Sequence, residues 1–496
     1  MSYEVVVVGG GIGGLTVAAL LARRGVNVCL YERGATVGGC VASFQKLGYT
    51  FEPTAGIYPL WGAGEIHARV FSELSIPAPE VELKDPAYAV RLPDGSDITI
   101  RKNTREFEEN LARVFPECAR QAIRFYRRTR PIARALLGAL ERVPDLRTAG
   151  RLRQLRTLSS QPLLAAKIFR SLNQTALQHL ANTSPRFQRF IDVQLQALAQ
   201  SPAGVCAYLY ACVALEASRL GSYAIRGGAI SLAEKLASSV QRSGGNLRLS
   251  TQVLRLAYNS RGRAIGVDLL SGERVEASRA VISNLTVWDT YGKLIGLERT
   301  PTEVRKHLNS VKGWGAYVMY LGMKEEAVQR LPAEQIMALT DWQTNLPYEP
   351  AEHQFMFSVA PVFDQRAPAG QRAVTVSAFT DVADWFTFHR DHSEHERMDQ
   401  EMLEAWWRKL HKTLPELGGD IEVIETATPV TFYEGTRRKL GMVGGIGQSL
   451  EVSGLNSFSH HTTLPNVYMV GDTIFPGAGL SAVTYSAVSL AHLLTS

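Results

Sequence analysis

Hydrophobic and polar positions near the N-terminus predict a strand, a tight turn and a helix, in that order. Residues 5–8 are four consecutive valines, which is typical of a strand buried on both faces of a parallel sheet. Residues 15–24 are mostly apolar and predict a helix. Residues 26–31 predict a second strand, which ends at Glu32. This order of elements predicts an α/β fold with a nucleotide-binding sheet.

The turn between the first strand and the helix carries a dinucleotide-binding pattern. Gly9, Gly11 and Gly14 fit G-x-G-x-x-G, with Ile12 and Gly13 between the last two glycines. The glycines allow a tight turn, close approach of a pyrophosphate and close helix–strand contact. The N-terminus of the helix offers free N–H groups to the phosphates. Glu32, 23 residues after Gly9, can accept hydrogen bonds from ribose hydroxyls.

The C-terminal hydrophobic pattern predicts a second part of the same site. A short apolar strand at 466–470 leads into Gly471-Asp472, and a helix at 480–494 follows Gly479. Shortly after Glu32 comes Arg33, and then a second glycine pair that precedes Cys40. The cofactor site is therefore expected to use both ends of the sequence.

These segments resemble the FAD-dependent amine oxidase and carotenoid desaturase superfamily. The resemblance implies FAD rather than NAD, with Asp472 at the ribitol and Val253 holding the adenine through its backbone. Cys40 stands where many members have a pyrophosphate-binding arginine, so Arg33 or backbone N–H groups are the expected substitutes. The predicted cofactor residues are Gly9, Gly11, Ile12, Gly13, Gly14, Glu32, Arg33, Gly39, Cys40, Val253, Gly471, Asp472, Gly479, Leu480 and Ser481.

A narrower similarity concerns seven segments: 39–44, 49–52, 64–67, 71–74, 190–196, 441–448 and 471–477. They are most similar to cyanobacterial-type carotenoid C-3′,4′ desaturases. The resemblance implies that a carotenoid loses a hydride to the flavin and a proton from the adjacent carbon. No acid–base pair is evident, so the catalytic residues stay unassigned. Three aromatic residues are candidates to line the substrate cavity, each equally compatible with ordinary core: Tyr58, Trp61 and Tyr485.

Two alternatives remain open. A flavin-dependent carotenoid isomerase or a retinol saturase would share the ends of the chain and cannot be separated from a desaturase on motifs. A prenyl- or lipid-binding escort protein of the GDP-dissociation-inhibitor type would share the fold. Such an escort would not need Glu32 and Asp472 intact, so their presence favours an enzyme.

The charged residues are unevenly distributed along the sequence. The net charge is +6, yet residues 120–170 hold 13 basic side chains and two acidic ones. Leucines lie between these arginines, which predicts an anionic membrane surface as the partner, with a solvated helical face as the alternative. No fold or aromatic pattern for nucleic acid accompanies them. The segment 193–215 carries no charge but several glutamines, and it predicts a buried helix rather than a membrane span.

The 496 residues, 45% of them hydrophobic, can bury a large core and predict two domains. The resemblance implies that these are a Rossmann-like FAD-binding domain and an inserted α+β substrate domain. The expected segments are 1–84, 223–290 and 421–496 for the FAD-binding domain, 85–222 for a helical insertion and 291–420 for an antiparallel sheet. Five cysteines without metal-type spacing and no room for a signal peptide predict a protein on the cytoplasmic side of a membrane, peripherally attached. His389, His392 and His395 lie among charged residues and predict a solvated helix start, with no metal. A second complete glycine pattern is lacking, so oxygen or a quinone is expected to reoxidise the flavin directly.

Overall fold

Two seven-stranded sheets with helices around them form the protein, as seen in a computed structural model that describes residues 2–142, 162–343, 347–387 and 391–496. The first sheet contains the predicted nucleotide-binding strands, and the second is mostly antiparallel. This is the α/β architecture that the sequence predicts.

The first sheet is built around the strand of valines. Ser2–Val8 pairs in parallel with Val28–Tyr31 on one side and with Arg274–Ser283 on the other. Side chains of Ser2–Val8 alternate between two apolar clusters, one on each face of the sheet. The strand is therefore buried on both faces, as predicted. The strand order is Asn246–Arg248, Val28–Tyr31, Ser2–Val8, Arg274–Ser283, Ala264–Leu269 and Val253–Tyr258, with Val467–Met469 also pairing with Arg274–Ser283.

Three helices cover one face of the first sheet: Ile12–Arg23, Ile230–Arg242 and Leu480–Thr495. The helix nearest the N-terminus packs directly against the helix nearest the C-terminus. On the opposite face lie Val287–Asp289 and the π-helix Thr290–Gly296 that continues it.

The second sheet draws strands from three of the five expected segments. Its order is Ile421–Ala427, Gly315–Lys324, Gln371–Thr380, Gln354–Val359, Gln335–Leu339, Tyr88–Arg91 and Asp97–Ile100. The last two strands form a hairpin. Ile421–Ala427 pairs with Gly315–Lys324, whereas the sequence segmentation assigned it to the C-terminal FAD-binding segment. Its backbone partners place it in the second sheet instead.

Two smaller sheets connect these layers. Tyr58–Pro59 and Val81–Lys84 both pair with Ser222–Ile225, and Phe44–Lys46 pairs with Tyr49–Phe51. Outside the helical insertion, the other α-helices are Ile66–Leu74, Thr302–Ser310, Glu325–Val328, Pro350–His353, Val382–Thr387, His392–Thr413 and Pro429–Thr436. His392 and His395 lie in the first turn of His392–Thr413, and His389 lies outside the described residues.

The helical insertion contains Thr104–Val114, Ala119–Arg142, Pro162–Arg170, Pro185–Ala199 and Tyr208–Leu220. The prediction of one buried helix across 193–215 is wrong. Gln200 adopts a left-handed conformation, with φ of 56°, and ends the first helix two residues before Pro202. A proline cannot donate the hydrogen bond that would continue the helix, so a second helix starts at Tyr208. Within the described ranges, no helix combines the length and apolar character needed to cross a bilayer.

Candidate active site

A cavity of about 930 Å³ is lined by residues of both large sheets. It contains most of the residues that the sequence nominates for FAD. These are Gly9, Gly11, Ile12, Gly13, Glu32, Arg33, Gly39, Cys40, Val253, Gly471, Asp472, Gly479 and Leu480. Positions separated by more than 450 residues in the sequence therefore meet at one site.

The glycine turn leaves the backbone bare on the cavity side. Gly9 has a φ of 102°, which favours glycine. A Cβ on Gly11 would lie 2.7 Å from Asn284 Nδ2, and one on Gly14 would meet the carbonyl oxygen of Gly9. Gly14 does not line the cavity, so its absent side chain serves helix–strand contact, as the third glycine of the pattern requires.

Glu32 is held in place by backbone N–H groups. Its Oε2 accepts from Gly10 N at 2.6 Å and its Oε1 from Gly34 N at 2.6 Å. A carboxylate oxygen has two lone pairs, so each still has one for a ribose hydroxyl. The carboxylate lies beside the first glycine turn, where the sequence places the ribose.

The opposite end of the cavity contains an arginine that the sequence analysis missed. Arg438 Nη2 donates to Asp472 Oδ2 at 2.9 Å, and Arg438 Nε donates to the carbonyl oxygen of Met442 at 2.8 Å. Burial lowers the pKa of this guanidinium, but Asp472 and Cys40 outweigh burial and the net pKa is raised. The cation is therefore permanent. Its signal in the sequence was the basic run 437–439 directly before the glycine-rich stretch 441–447.

Arg438, rather than Arg33, lies against Cys40. The Arg33 side chain donates to the carbonyl oxygen of Gly435 at 2.7 Å, while the interaction of Arg438 with the Cys40 thiol lowers the pKa of that thiol. Burial raises the thiol pKa by more, so the thiol is protonated at neutral pH. Many members of the family have an arginine at the position of Cys40. Here the positive charge beside this position comes from Arg438, in the C-terminal part of the chain.

Ser481 does not line the cavity but lies behind the residues that do. Its hydroxyl donates to the carbonyl oxygen of Pro59 at 2.6 Å and lies 3.2 Å from His67 Nε2. Burial lowers the pKa of His67 to about 3, so this imidazole is neutral at pH 7. These contacts fix the first turn of the helix Leu480–Thr495, whose N-terminus faces the cavity at Gly479 and Leu480.

Of the three aromatic candidates, Tyr58 lines the cavity. Trp61 is buried and stacks on His67 with 3.9 Å between ring centroids. Tyr485 is buried in a small apolar cluster with Leu60 and Leu137. Trp61 and Tyr485 thus lie in the core, which was the alternative interpretation for both residues.

The residues present fit FAD. Two helices of 12 and 16 residues begin at this cavity, and each has a glycine as its N-cap, so no capping side chain covers the first N–H groups. Such N-termini favour negative charge, which suits a pyrophosphate and an electron-rich flavin ring. Glu32 and Asp472 both line the cavity, and their carboxylates are the ones expected for the ribose and the ribitol.

The sequence profile of the family described as flavin-containing amine oxidoreductase matches residues 12–483. The chain belongs to the flavin-containing amine oxidoreductase family. Its cofactor is FAD, as the glycine turn and the Gly471-Asp472 pair predict. The family assignment also confirms the expected fold class.

Relatives of this flavin-containing oxidoreductase include carotenoid enzymes. Prolycopene isomerase 2 of an Oncidium hybrid cultivar is 26% identical, and the match covers 99% of this chain and 83% of that one. The 4,4′-diapophytoene desaturase of a Methylomonas species is 24% identical, with 99% and 95% covered. Among solved structures, an oxidoreductase from Methanosarcina mazei superposes with a TM-score of 0.63 at 16% identity, with 99% and 100% covered. That last likeness concerns the fold alone.

Proposed function

We propose that this flavoprotein desaturates a carotenoid, at the C-3′,4′ bond, by hydride transfer to FAD. The supporting observation is the apolar lining that the second sheet and nearby segments add to the cofactor cavity. This lining comprises Ile57, Leu198, Ala316, Met356, Ala378 and Phe379. A polyene has few polar groups, so an apolar cavity next to a flavin suits it better than a polar substrate.

The residues of the chain position the reactants. Gly11 and Gly13 would leave room for the pyrophosphate, while Glu32 and the Asp472–Arg438 pair would hold the ribose and the ribitol on either side of it. The bound flavin supplies the hydride acceptor. The surrounding apolar side chains exclude water, so the substrate is held by shape and dispersion.

Pigment analysis tests this proposal. The protein is expressed in a bacterium that makes carotenoids, and the extracted pigments are compared with those of an Asp472→Ala control. Loss of two mass units per step with a red shift of the absorption supports desaturation. Pigments that match the control in mass, colour and retention contradict any carotenoid activity.

A carotenoid isomerase is the second candidate, because the Oncidium relative bears the name of a prolycopene isomerase. In that reaction the reduced flavin is the working form and the mass of the pigment does not change. The same extraction separates the two functions, since a changed retention time at constant mass indicates isomerisation.

We also propose oxygen or a quinone as the electron acceptor of the desaturase. The lone G-x-G-x-x-G pattern supports direct reoxidation. Photoreduced holoenzyme mixed with air-saturated buffer or with duroquinone tests this point. Reoxidation by neither acceptor within one turnover time contradicts it.

A further proposal concerns the membrane. Arg120, Arg124, Arg128 and Arg134 are exposed on the helix Ala119–Arg142. Beyond it, the helix Pro162–Arg170 exposes Leu163 and Phe169 next to its basic residues, and Leu172, Leu177 and Val205 are also exposed. Residues 143–161 of the basic segment lie outside the described residues. Basic and apolar side chains on one region suit peripheral docking on an anionic bilayer.

Liposome co-sedimentation tests the docking proposal. Glutamine at Arg120, Arg124, Arg128 and Arg134 is expected to weaken binding about a thousandfold, at about 1 kcal/mol per arginine. The matched control replaces four exposed arginines near the first sheet: Arg242, Arg261, Arg263 and Arg279. Equal loss in both variants indicates unspecific attraction and contradicts a defined docking face.

A further inference from the structure

A second, smaller cavity adjoins the FAD cavity. It has a volume of about 30 Å³, enough for about two water molecules. Gly56, Ile57 and Tyr58 line both cavities, so this short segment forms the partition between them. Charged side chains line the small cavity: Glu52, Lys84, Glu334 and Arg366.

Hydrogen bonds cross the partition. The Tyr58 hydroxyl donates to Glu52 Oε1 at 2.7 Å. The same oxygen accepts from Ala229 N at 2.9 Å, and Glu52 Oε2 lies 3.2 Å from Arg366 Nη1. Arg366 is buried and its Nε also donates to Asp364 at 2.6 Å. The phenol on the cavity wall is thus linked to an anchored carboxylate on the other side.

The charged groups around the hydrogen bond from Tyr58 to Glu52 favour one protonation state, in which the phenol is neutral. Burial, followed by the charge of Glu52, raises the pKa of Tyr58, so the phenol is neutral and acts as donor. Titratable side chains that pack against Tyr58, Glu52 or the small cavity are Tyr223, Arg366, Asp364, Lys84, Glu82, Glu334 and Arg372. Among them, Lys84 and Arg372 each pair with Glu334.

We propose that Tyr58 and Glu52 form a proton relay that carries protons from the FAD cavity to water in the small polar cavity. The apolar part of the FAD cavity needs such a route for protons, because a free proton is not stable among hydrocarbon side chains. Tyr58 is the group in contact with the FAD cavity, and Glu52 acts through it.

In a desaturation, the relay takes up the proton that the substrate releases. This use of the relay rests on the proposed function. A hydride leaves one carbon for the flavin, and the C–H bond on the adjacent carbon breaks. The electron pair of that bond becomes the new double bond, and its proton bonds to the Tyr58 oxygen. The proton of the Tyr58 hydroxyl passes at the same time to Glu52, which then releases it to water.

A test of the relay needs no carotenoid. Photoreduced holoenzyme is mixed with ferricyanide, which takes electrons but no protons, so reduced flavin must release a proton. Stopped-flow records flavin oxidation in the visible spectrum and proton release with a pH indicator in weak buffer. In the wild-type protein the two signals are expected to coincide, and in Tyr58→Phe proton release is expected to lag by about a hundredfold.

Two further variants make the test specific. Glu52→Gln keeps an oxygen for the Tyr58 hydroxyl and for Ala229 N but is a far poorer proton acceptor, so it is expected to lag as Tyr58→Phe does. Tyr223→Phe changes another tyrosine that lines the small cavity and whose backbone pairs with Tyr58, and it is expected to behave as wild type. FAD content and thermal melting of each variant show whether it is folded.

Coincident signals in Tyr58→Phe overturn the relay. An equal lag in Tyr223→Phe overturns it as well, because the effect would then not depend on Tyr58. Failure of the carotenoid proposal appears only in the pigment analysis, so the two proposals can fail separately.

Discussion

The two ends of the FAD cavity are held by different means. At the glycine turn, Glu32 is fixed by the N–H groups of Gly10 and Gly34, which are part of the backbone. At the other end, Asp472 is fixed by the side chain of Arg438. The first arrangement exists once the local turn has formed, whereas the second requires two distant segments to meet.

This difference has an energetic consequence. A backbone N–H group cannot be removed by a substitution elsewhere, so the Glu32 end tolerates change in its surroundings. The Asp472–Arg438 pair is mostly buried, with 21% and 16% of the side chains exposed. Removing one partner of such a pair leaves the other without compensation. The C-terminal end of the cavity is therefore the more sensitive one to substitutions of side chains.

The largest effect is expected for Gly14→Ala at the glycine turn, because the added Cβ meets the Gly9 carbonyl oxygen, which belongs to the backbone. The free energy of unfolding should fall by about 4 kcal/mol, as measured in urea. Gly292→Ala, where a Cβ meets open space, is the control. A Gly14→Ala protein as stable as this control contradicts the proposed packing role.

The next effect concerns the Asp472 end. Asp472→Asn should lower the free energy of unfolding by about 3 kcal/mol, because Arg438 keeps its charge and loses its partner. The double variant with Arg438→Met should lose less than the sum of the two single variants. Urea unfolding of all four proteins measures this coupling. Additive losses would show that the ion pair does not hold this end together.

A smaller effect is expected for Glu32→Gln. The amide keeps one acceptor oxygen but loses the charge, so the free energy of FAD binding should weaken by about 1.5–3 kcal/mol. Fluorescence titration of apoprotein with FAD measures it. Glu4→Gln is the control, because Glu4 also accepts from a backbone N–H group of the first sheet, Asn27 N, away from the cavity. Unchanged affinity in Glu32→Gln contradicts the ribose assignment.

The last effect, the smallest per unit of pH, is a pH dependence of stability caused by His67, which lies against the first turn of the last helix. The pKa of His67 is about 3 in the folded protein and about 6.5 when unfolded, so unfolding takes up a proton between these values. Stability contributed by neutral His67 is present above pH 6.5 and falls as the pH falls towards 3, by up to about 1.4 kcal/mol per pH unit. Thermal melting of His67→Gln should show a flatter pH dependence than His492→Gln, an exposed control on the last helix. Identical pH profiles of the two variants would contradict burial of His67 as the cause of the pH dependence.

The sequence predicted the glycine-turn end well because that end is local. Gly9, Gly11, Gly14 and Glu32 lie within 24 residues, and each role follows from backbone conformation or strand position. The buried strand of valines and the antiparallel strands of the second sheet follow in the same way from hydrophobic patterns. Periodicity determines these elements without knowledge of what they contact.

Features set by tertiary contact escaped the sequence analysis. Arg438 lies in an irregular loop, and its partner Asp472 is 34 residues away. The break after Gln200 is different, because Pro202 is visible in the sequence but the uncharged run 193–215 was interpreted as one helix. Trp61 and Tyr485 are aromatic residues near the cofactor segments, but which side of the wall they occupy is decided by packing with His67 and Leu60.

The pairing of the first and last helices has a consequence for synthesis in the cell. The strand Val467–Met469 completes one edge of Arg274–Ser283, and the helix Leu480–Thr495 packs on Ile12–Arg23. At about 5–20 residues per second, the glycine turn leaves the ribosome tens of seconds before its C-terminal counterpart. During that interval the nascent chain holds only half of a flavin site and an unpaired strand edge. We therefore expect FAD to bind only after the C-terminal segment has been synthesised.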